Sequence, residues 1–240
     1  MPQRSIATAE DEVETESLSG NEKQRLQGVY ERLLEDTRTQ GSNVFVQKLM
    51  EYQNEIEFGA SVAKAQFQQN LGGGSTTTGQ FAVSHIDPGF FGWDQWDNAP
   101  DAAADTTNTW LDSSNPDNLA GTGGEPLIIG EDAVHVVVGI GTYEQSPKEN
   151  KYKFEVNREP KTVVRVEDAW RETDLQVKWL DSAYVFNEDT EVFAERYSPI
   201  AGASSPRLIG VSFVEGKAAR RINPDNYTGT QTANNIVVEQ

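Results

Sequence analysis

From Pro126 onward, apolar and polar residues alternate with a period of two, and this pattern restricts the chain to a fold built largely of β-strands. Tyr152, Phe154 and Val156, for example, alternate with Lys151 and Lys153. Such alternation gives a strand one buried and one solvated face. About eight segments between residues 126 and 222 can form strands, with turn signals between them: PLIIG, AVHVVVGIGTYE, KYKFEVN, KTVVRVE, LQVKWL, SAYVF, EVFAERY and RLIGVSFVEG. No helical pattern separates them, which predicts a mainly β fold, an antiparallel β-sandwich or jelly roll.

Two amphipathic helices are predicted before the strands, in residues 19–70. Ser19 and Glu22 have capping-box spacing, and Leu26, Val29, Tyr30, Leu33 and Leu34 follow at helical intervals. A second stripe begins near Ser42 or Asn43 and contains Phe45, Leu49, Tyr52 and Ile56, with Val62 and Phe67 extending it past Gly59. The short connection predicts an N-terminal helical hairpin. Its stripes pack on each other, on the β domain or on another subunit.

The other segments lack periodicity and are predicted to be irregular. Residues 1–18 are an acidic tail, disordered unless a partner holds it, and residues 71–80 are a Gly/Ser/Thr linker. Residues 81–125 form a loop region rich in aromatic and acidic side chains. The β domain follows at 126–222, and residues 223–240 form a flexible C-terminal tail.

The charge balance excludes one class of partner. The chain has 38 acidic and 20 basic residues and a net charge of −18, which disfavours direct nucleic-acid binding because that binding depends on Lys and Arg. An acidic excess spread over the whole sequence is typical of proteins that stay soluble in concentrated salt, so a halophilic source is our hypothesis. No apolar run approaches the ~20 residues needed for a transmembrane segment.

No catalytic motif is found. The chain has no cysteine and only two histidines, which leaves the usual His and Cys zinc sites without ligands. His135 lies within an apolar strand and is predicted to be a structural, hydrogen-bonded residue. The segment GIGTYE from Gly139 predicts a strand bend or bulge rather than a nucleotide-binding loop. We therefore expect no enzyme, no catalytic residue, no cofactor and no metal.

The segment HIDPGFFGWDQWDN, residues 85–98, is the densest group of candidate functional residues. As a metal site it would use His85, Asp87, Asp94 and Asp97, and as a sugar platform it would stack Trp93 and Trp96 on pyranose rings. The area of its aromatic side chains favours burial, either beneath the chain's own sheet or against another subunit. The residues predicted for a subunit interface are Phe90, Phe91, Trp93 and Trp96 here and Leu26, Leu33 and Leu49 in the helices.

The β region resembles a known family. The succession KYKFEVNREPKTVVRVEDAWRETDLQVKWLDSAYVFNEDTEVFAERY, followed by PRLIGVSFVEG in an acidic, cysteine-free chain, is similar to virion coat proteins of haloarchaeal viruses, which include jelly-roll capsid subunits. The resemblance covers roughly residues 126–222. It implies a structural protein of an icosahedral capsid, located in the virion after assembly in the host cytoplasm. Such a protein associates with itself and with other capsid proteins, and the family has no catalytic residues to transfer.

The alternative function is carbohydrate binding. A surface-exposed β-sandwich of this kind would contact glycans as a turret, spike or receptor-binding component. The helices of residues 19–70 are not expected in a minimal jelly roll, which leaves open a tailed-virus capsid, turret or spike component instead.

Replacing Trp93 and Trp96 together by alanine distinguishes the interpretations of residues 85–98. Buried aromatic residues typically contribute ~3–5 kcal/mol, and tryptophan is common at interface hot spots, so we expect damaged folding or assembly. Thermal unfolding, oligomer mass and glycan binding are measured on the double variant. Normal stability and assembly with lost glycan binding would instead establish the sugar platform, and a metal site would make chelation reproduce the loss of His85 or Asp87.

Overall fold

The described residues form three layers: one helix, a central β-sheet and an outer β-sheet. The computed structural model describes residues 7–8, 50–70, 81–86, 91, 104–111, 125–142, 148–161, 163–166, 177–202, 206–215 and 236–237. In chain order these contain β1 (Ala7–Thr8), α1 (Gln53–Asn70), β2 (Phe81–His85), β3 (Thr106–Leu111), β4 (Leu127–Ile128), β5 (Ala133–Thr142), β6 (Lys151–Val156), β7 (Glu159–Pro160), β8 (Val164–Arg165), β9 (Val177–Phe186), β10 (Glu191–Ser198), β11 (Pro206–Glu215) and β12 (Ile236–Val237). The prediction of a mainly β fold is confirmed.

The central sheet is six-stranded, in the order β1-β9-β5-β11-β2-β12. All neighbouring strands are antiparallel except β1, which runs parallel to β9. Residues 133–141 of β5 are all buried, because both faces of this strand are covered. Val134, Val136 and Val138 face the helix, whereas Val137 and Ile140 face the outer sheet.

The outer sheet has the order β3-β10-β6-β7, with β4 also pairing with β10 and β8 with β6. Its two longest interior strands alternate strictly, since every second residue of β6 and β10 is buried. The inward-facing side chains include Tyr152, Phe154 and Val192, which pack against the central sheet in the second hydrophobic core. The alternation predicted for residues 151–156 is therefore confirmed.

The longer strands alternate between the two sheets along the chain. β2, β5, β9 and β11 belong to the central sheet, and β3, β6 and β10, which fall between them in sequence, belong to the outer sheet. Each of these connections therefore crosses from one sheet to the other. The two sheets consequently share one interior.

Helix α1 covers the other face of the central sheet. Ile56, Val62 and Phe67 of the helix, and Tyr52 directly before it, are buried in the first core. The helix continues past Gly59, as the helical spacing predicts. A Cβ atom on Gly59 would overlap the Val136 side chain, so the absence of a side chain there lets the helix lie directly on β5. The predicted first helix and the hairpin lie outside the described residues.

Two bulges interrupt the pairing of the central strands. The register between β5 and β9 shifts between Val137 and Gly139, which confirms the bulge predicted from GIGTYE. The register between β5 and β11 shifts between Ile209 and Gly210. A Cβ on Gly210 would overlap the carbonyl oxygen of Val136, so only glycine fits this close approach of two backbones.

Several strands lie outside the segment 126–222 that the sequence predicts as the β domain. β2 and β3 fall within the predicted loop region 81–125, and β1 and β12 fall within the two predicted tails. LQVKWL and SAYVF, predicted as separate strands, belong to the single strand β9. Each added strand pairs with a longer strand, so it depends on pairing rather than on its own apolar pattern.

Substituting Gly59 by alanine tests the close approach of α1 to β5. Alanine favours an isolated helix by about 1 kcal/mol over glycine, but here the added methyl group would overpack the core at a cost of about 1–3 kcal/mol. We expect lower stability in urea unfolding. Gly130→Ala is the control, because a Cβ there meets nothing within 4 Å. An increase in stability for Gly59→Ala would contradict the packing.

Candidate functional site

The solvent-facing side of the outer sheet is a polar surface formed by β6 and β10. On β6 the outward residues are Lys151, Lys153 and Glu155; on β10 they are Glu191, Phe193, Glu195 and Tyr197. Cross-strand register places Lys151 opposite Tyr197, Lys153 opposite Glu195 and Glu155 opposite Phe193. Charged and aromatic side chains therefore share this face.

Ion pairs hold the middle of this face. Lys153 Nζ lies 2.6 Å from Glu155 Oε1 and 3.4 Å from Glu195 Oε2, and the hydrogen bond to Glu155 raises the pKa of Lys153. At the end of the face near the β9–β10 turn, Arg158 Nε lies 2.7 Å from Glu191 Oε2. These side chains are partly solvated, so each pair contributes little to stability.

Tyr197 lies at the opposite end of β10. Its hydroxyl donates a hydrogen bond of 3.1 Å to Asp105 Oδ1, and this bond raises the pKa of Tyr197 because it favours the protonated phenol. The ammonium group of Lys151 lies over the Tyr197 ring, 4.5 Å from its centroid. The ring face therefore already has a cation as its partner.

A buried polar cluster lies beneath this surface. Arg196, on the inward side of β10, is fully buried and pairs in register with Tyr152 of β6. The Tyr152 hydroxyl donates to Glu149 Oε1 at 3.0 Å, and the Lys148 backbone N–H donates to Glu149 Oε2 at 2.9 Å. The Trp110 ring packs on Tyr152 with centroids 4.9 Å apart.

Burial raises the pKa of Glu149, although its hydrogen bonds and the charge of Arg196 act in the opposite direction. A carboxyl with a raised pKa is a frequent sign of a catalytic acid or base. Glu149 is only 2% exposed, however, and its described partners are Tyr152, Arg196 and its own backbone segment. In this arrangement it links the segment before β6 to β10.

His135 is buried between the two sheets, as the sequence predicts. Its Nδ1 lies 2.8 Å from Ser212 Oγ on the neighbouring strand β11, and its ring packs on Phe91 at 5.3 Å. Burial lowers the pKa of His135 to about 3, so the ring is neutral in the folded protein at pH 7. The predicted hydrogen bond of this histidine is present, and its structural rather than catalytic role stays a prediction.

Most of the predicted interface residues lie outside the described residues: Phe90, Trp93, Trp96, Leu26, Leu33 and Leu49. Phe91 is described and is 5% exposed, within the core between the two sheets. Its ring therefore packs beneath the chain's own sheet, one of the two burial alternatives for residues 85–98. His85 lies in β2 opposite Val211, whereas Asp87, Asp94 and Asp97 lie outside the described residues.

Comparisons with known protein families, with curated proteins and with solved structures give no match. Within the described ranges, no helix has both the length and the apolar character needed to cross a membrane. The same residues contain no group of three or more His, Cys, Asp or Glu side chains that could hold a metal ion.

The depressed pKa of His135 predicts a loss of stability on mild acidification. The unfolded state takes up a proton near pH 6.5 and the folded state only near pH 3, so the free energy of unfolding falls by about 1.4 kcal/mol per pH unit below 6.5. His135→Asn removes this contribution while keeping a polar atom near Ser212. We expect wild type to lose about 1.4 kcal/mol more than the variant between pH 7.5 and 5.5 in urea unfolding.

The comparison of the two proteins isolates His135. Glu149, with its raised pKa, has the opposite effect: it contributes stability as the pH falls, but it is present in both proteins and cancels. Equal pH dependence in wild type and variant would show that His135 protonates in the folded state.

Proposed function

We propose that the two sheets form a jelly roll and that the chain is a structural protein of the icosahedral capsid shell of a haloarchaeal virus. In this role it acts by subunit–subunit assembly, without a catalytic step or cofactor. It contacts further copies of itself and other capsid proteins, and it makes no direct contact with nucleic acid.

The order in which the strands pair carries this proposal. For this comparison we set aside the two-residue strands β1, β4 and β12 and count β7 and β8 together as one strand. The eight strands are then, in sequence order, β2, β3, β5, β6, β7 with β8, β9, β10 and β11. The first pairs with the eighth, the second with the seventh, the third with the sixth and the fourth with the fifth, all antiparallel. This nested pairing is what results when one long hairpin is rolled into two sheets.

The two other pairings among these eight strands agree with the same rolled hairpin. The third strand also pairs with the eighth, and the fourth with the seventh, which gives sheet orders 1-8-3-6 and 2-7-4-5. Jelly rolls of eight strands are found in viral capsid proteins and in lectins. The strand order therefore supports the architecture implied by the resemblance of residues 126–222.

The charge of the chain supports the halophilic part of the proposal. A net charge of −18 on 240 residues makes copies of the chain repel one another in dilute buffer. At molar ionic strength the Debye length falls to ~3 Å, and repulsion beyond direct contact is screened. A shell of such subunits is thus suited to a concentrated salt solution.

Carbohydrate binding is the second candidate, because jelly rolls include lectins and Tyr197 lies beside Asp105 on an exposed face. An aromatic ring next to a carboxylate can stack on a sugar and accept hydrogen bonds from its hydroxyls. Lys151 lies over the ring and would have to move first. A glycan array distinguishes this function from a purely structural role.

The salt dependence of assembly tests the shell proposal. We expect particles of high mass to form as KCl is raised from about 0.1 M, where the Debye length is ~10 Å, to 1 M and above. Light scattering after size-exclusion chromatography gives the mass, and circular dichroism shows whether the subunit remains folded at low salt. A folded chain that stays monomeric at every salt and protein concentration would contradict the proposal, and oligomers that persist in low salt after chelation of divalent ions would contradict the charge argument.

A further inference from the structure

One edge of the outer sheet is basic although the chain as a whole is strongly acidic. Residues 148–165, which contain β6, β7 and β8, include six basic and three acidic residues and so have a net charge of +3. The basic ones are Lys148, Lys151, Lys153, Arg158, Lys161 and Arg165. The sign of the local charge is therefore opposite to that of the protein.

Two of these cations lie opposite each other across a pair of strands. Lys151 of β6 and Arg165 of β8 are directly opposite each other in register, and both are exposed. Like charges directly opposite across a strand pair are destabilising, and neither residue forms an ion pair with any described residue. Val163, 46% exposed, lies next to this strand pair. We call Lys151, Arg165 and Val163 the basic corner.

A group of carboxylates lies at the other end of the strands. Gln66 joins two turns there: its Nε2 donates to the Glu131 carbonyl oxygen at 2.7 Å, and its Oε1 accepts from the Glu188 N–H at 3.0 Å. Asp132 and Asp189 are the next residues in these turns. In the described part of the chain, Asp132, Glu188 and Asp189 form no ion pair. We call Asp132, Glu188 and Asp189 the acidic end.

The two surfaces are too far apart to neutralise each other within one molecule. Asp189 lies just before Glu191, the first residue of β10, whereas Lys151 pairs with Tyr197 near the end of that strand. Six residues of strand at ~3.3 Å each separate the two positions by ~20 Å, about twice the Debye length in 0.1 M salt. Within the described residues, neither surface therefore supplies the counter-charges of the other.

We propose that the basic corner of one copy docks on the acidic end of a second copy. The argument is charge complementarity. Within the described residues, two cations without an ion pair lie at one end of the strands, and three carboxylates without an ion pair lie at the other. Such a head-to-tail contact uses two different surfaces, so each subunit can bind one neighbour at each end, and repetition gives closed rings or open chains. The inference rests on the proposed function and names the contact through which assembly proceeds.

High salt is compatible with this contact. At molar salt the Debye length is ~3 Å, so the long-range repulsion between subunits is screened. Pairs of charges that are in direct contact and partly shielded from water are screened much less. Complementary charges of this kind set the orientation and the choice of partner more than the affinity. The basic corner and the acidic end therefore determine how two copies align.

Charge reversal tests the contact. Lys151→Glu with Arg165→Glu reverses the basic corner, and Glu188→Lys with Asp189→Lys reverses the acidic end. We expect each double variant to self-associate at least about tenfold more weakly than wild type in the same molar KCl, because like charges now meet. A chain with all four substitutions is expected to recover association, since both surfaces are reversed together.

The two reversals separate position from net charge. Reversal of the basic corner takes the net charge from −18 to −22, and reversal of the acidic end takes it from −18 to −14. An effect of net charge alone would therefore weaken association in the first variant and strengthen it in the second, whereas the proposed contact is weakened in both. Lys151→Gln with Arg165→Gln removes the charges without adding new ones and is used if the reversed chain does not fold. Association constants come from sedimentation equilibrium of chains whose circular dichroism matches that of wild type.

The outcomes distinguish the two proposals. If wild type assembles and both reversed variants assemble equally well, the head-to-tail contact is wrong and the shell proposal stands. If both variants are folded and weakened but the fourfold variant does not recover, the two surfaces do not bind each other. If wild type does not assemble at any salt concentration, the proposed function itself is wrong.

Discussion

The burial of β5 on both faces is the constraint on which the rest of the structure depends. Residues 133–141 are all buried, so this strand needs an apolar cover on each side. Helix α1 supplies one cover and the inward side of the outer sheet supplies the other. The same requirement explains two glycines. Because Gly59 has no side chain, the helix can lie directly on β5, and because Gly210 has none, the backbones of β11 and β5 can approach closely. A continuous apolar segment is thus the centre of three layers.

This arrangement decides which surfaces remain for contact with other molecules. Among the described residues, α1 packs on one face of the central sheet and the inner faces of the two sheets pack on each other, so the outward side of β6 and β10 is the sheet face left uncovered. That side carries the ion pairs of Lys153, the Lys151–Tyr197 contact and the exposed pair of Lys151 and Arg165. The buried cluster of Glu149, Tyr152 and Arg196 ties these two strands together directly below it. A firmly held sheet can present its outer charges in a fixed geometry.

The sequence predicted the features that depend on local pattern. The alternation of apolar and polar residues predicted β6 and β10. Helical spacing predicted that α1 continues past Gly59, and the GIG segment predicted a bulge in β5. β2 and β3 were missed because pairing with β11 and β10, rather than an apolar pattern, makes them strands. In EVFAERY the period of two does put Arg196 on the same face as Val192 and Ala194, so a signal for the buried cluster was present. The opposite placement of the basic corner and the acidic end required the register of the strands.

Native-state hydrogen exchange across β5 is the most direct test of the doubly covered sheet. Amides that are buried under two layers open only when the whole domain unfolds. Measured on the dissociated subunit, exchange in residues 133–141 is predicted to require the full free energy of unfolding found with urea, and exchange in exposed turns much less. Exchange of these amides at a free energy well below that of global unfolding would contradict the account, because one of the two covers would then open independently of the rest.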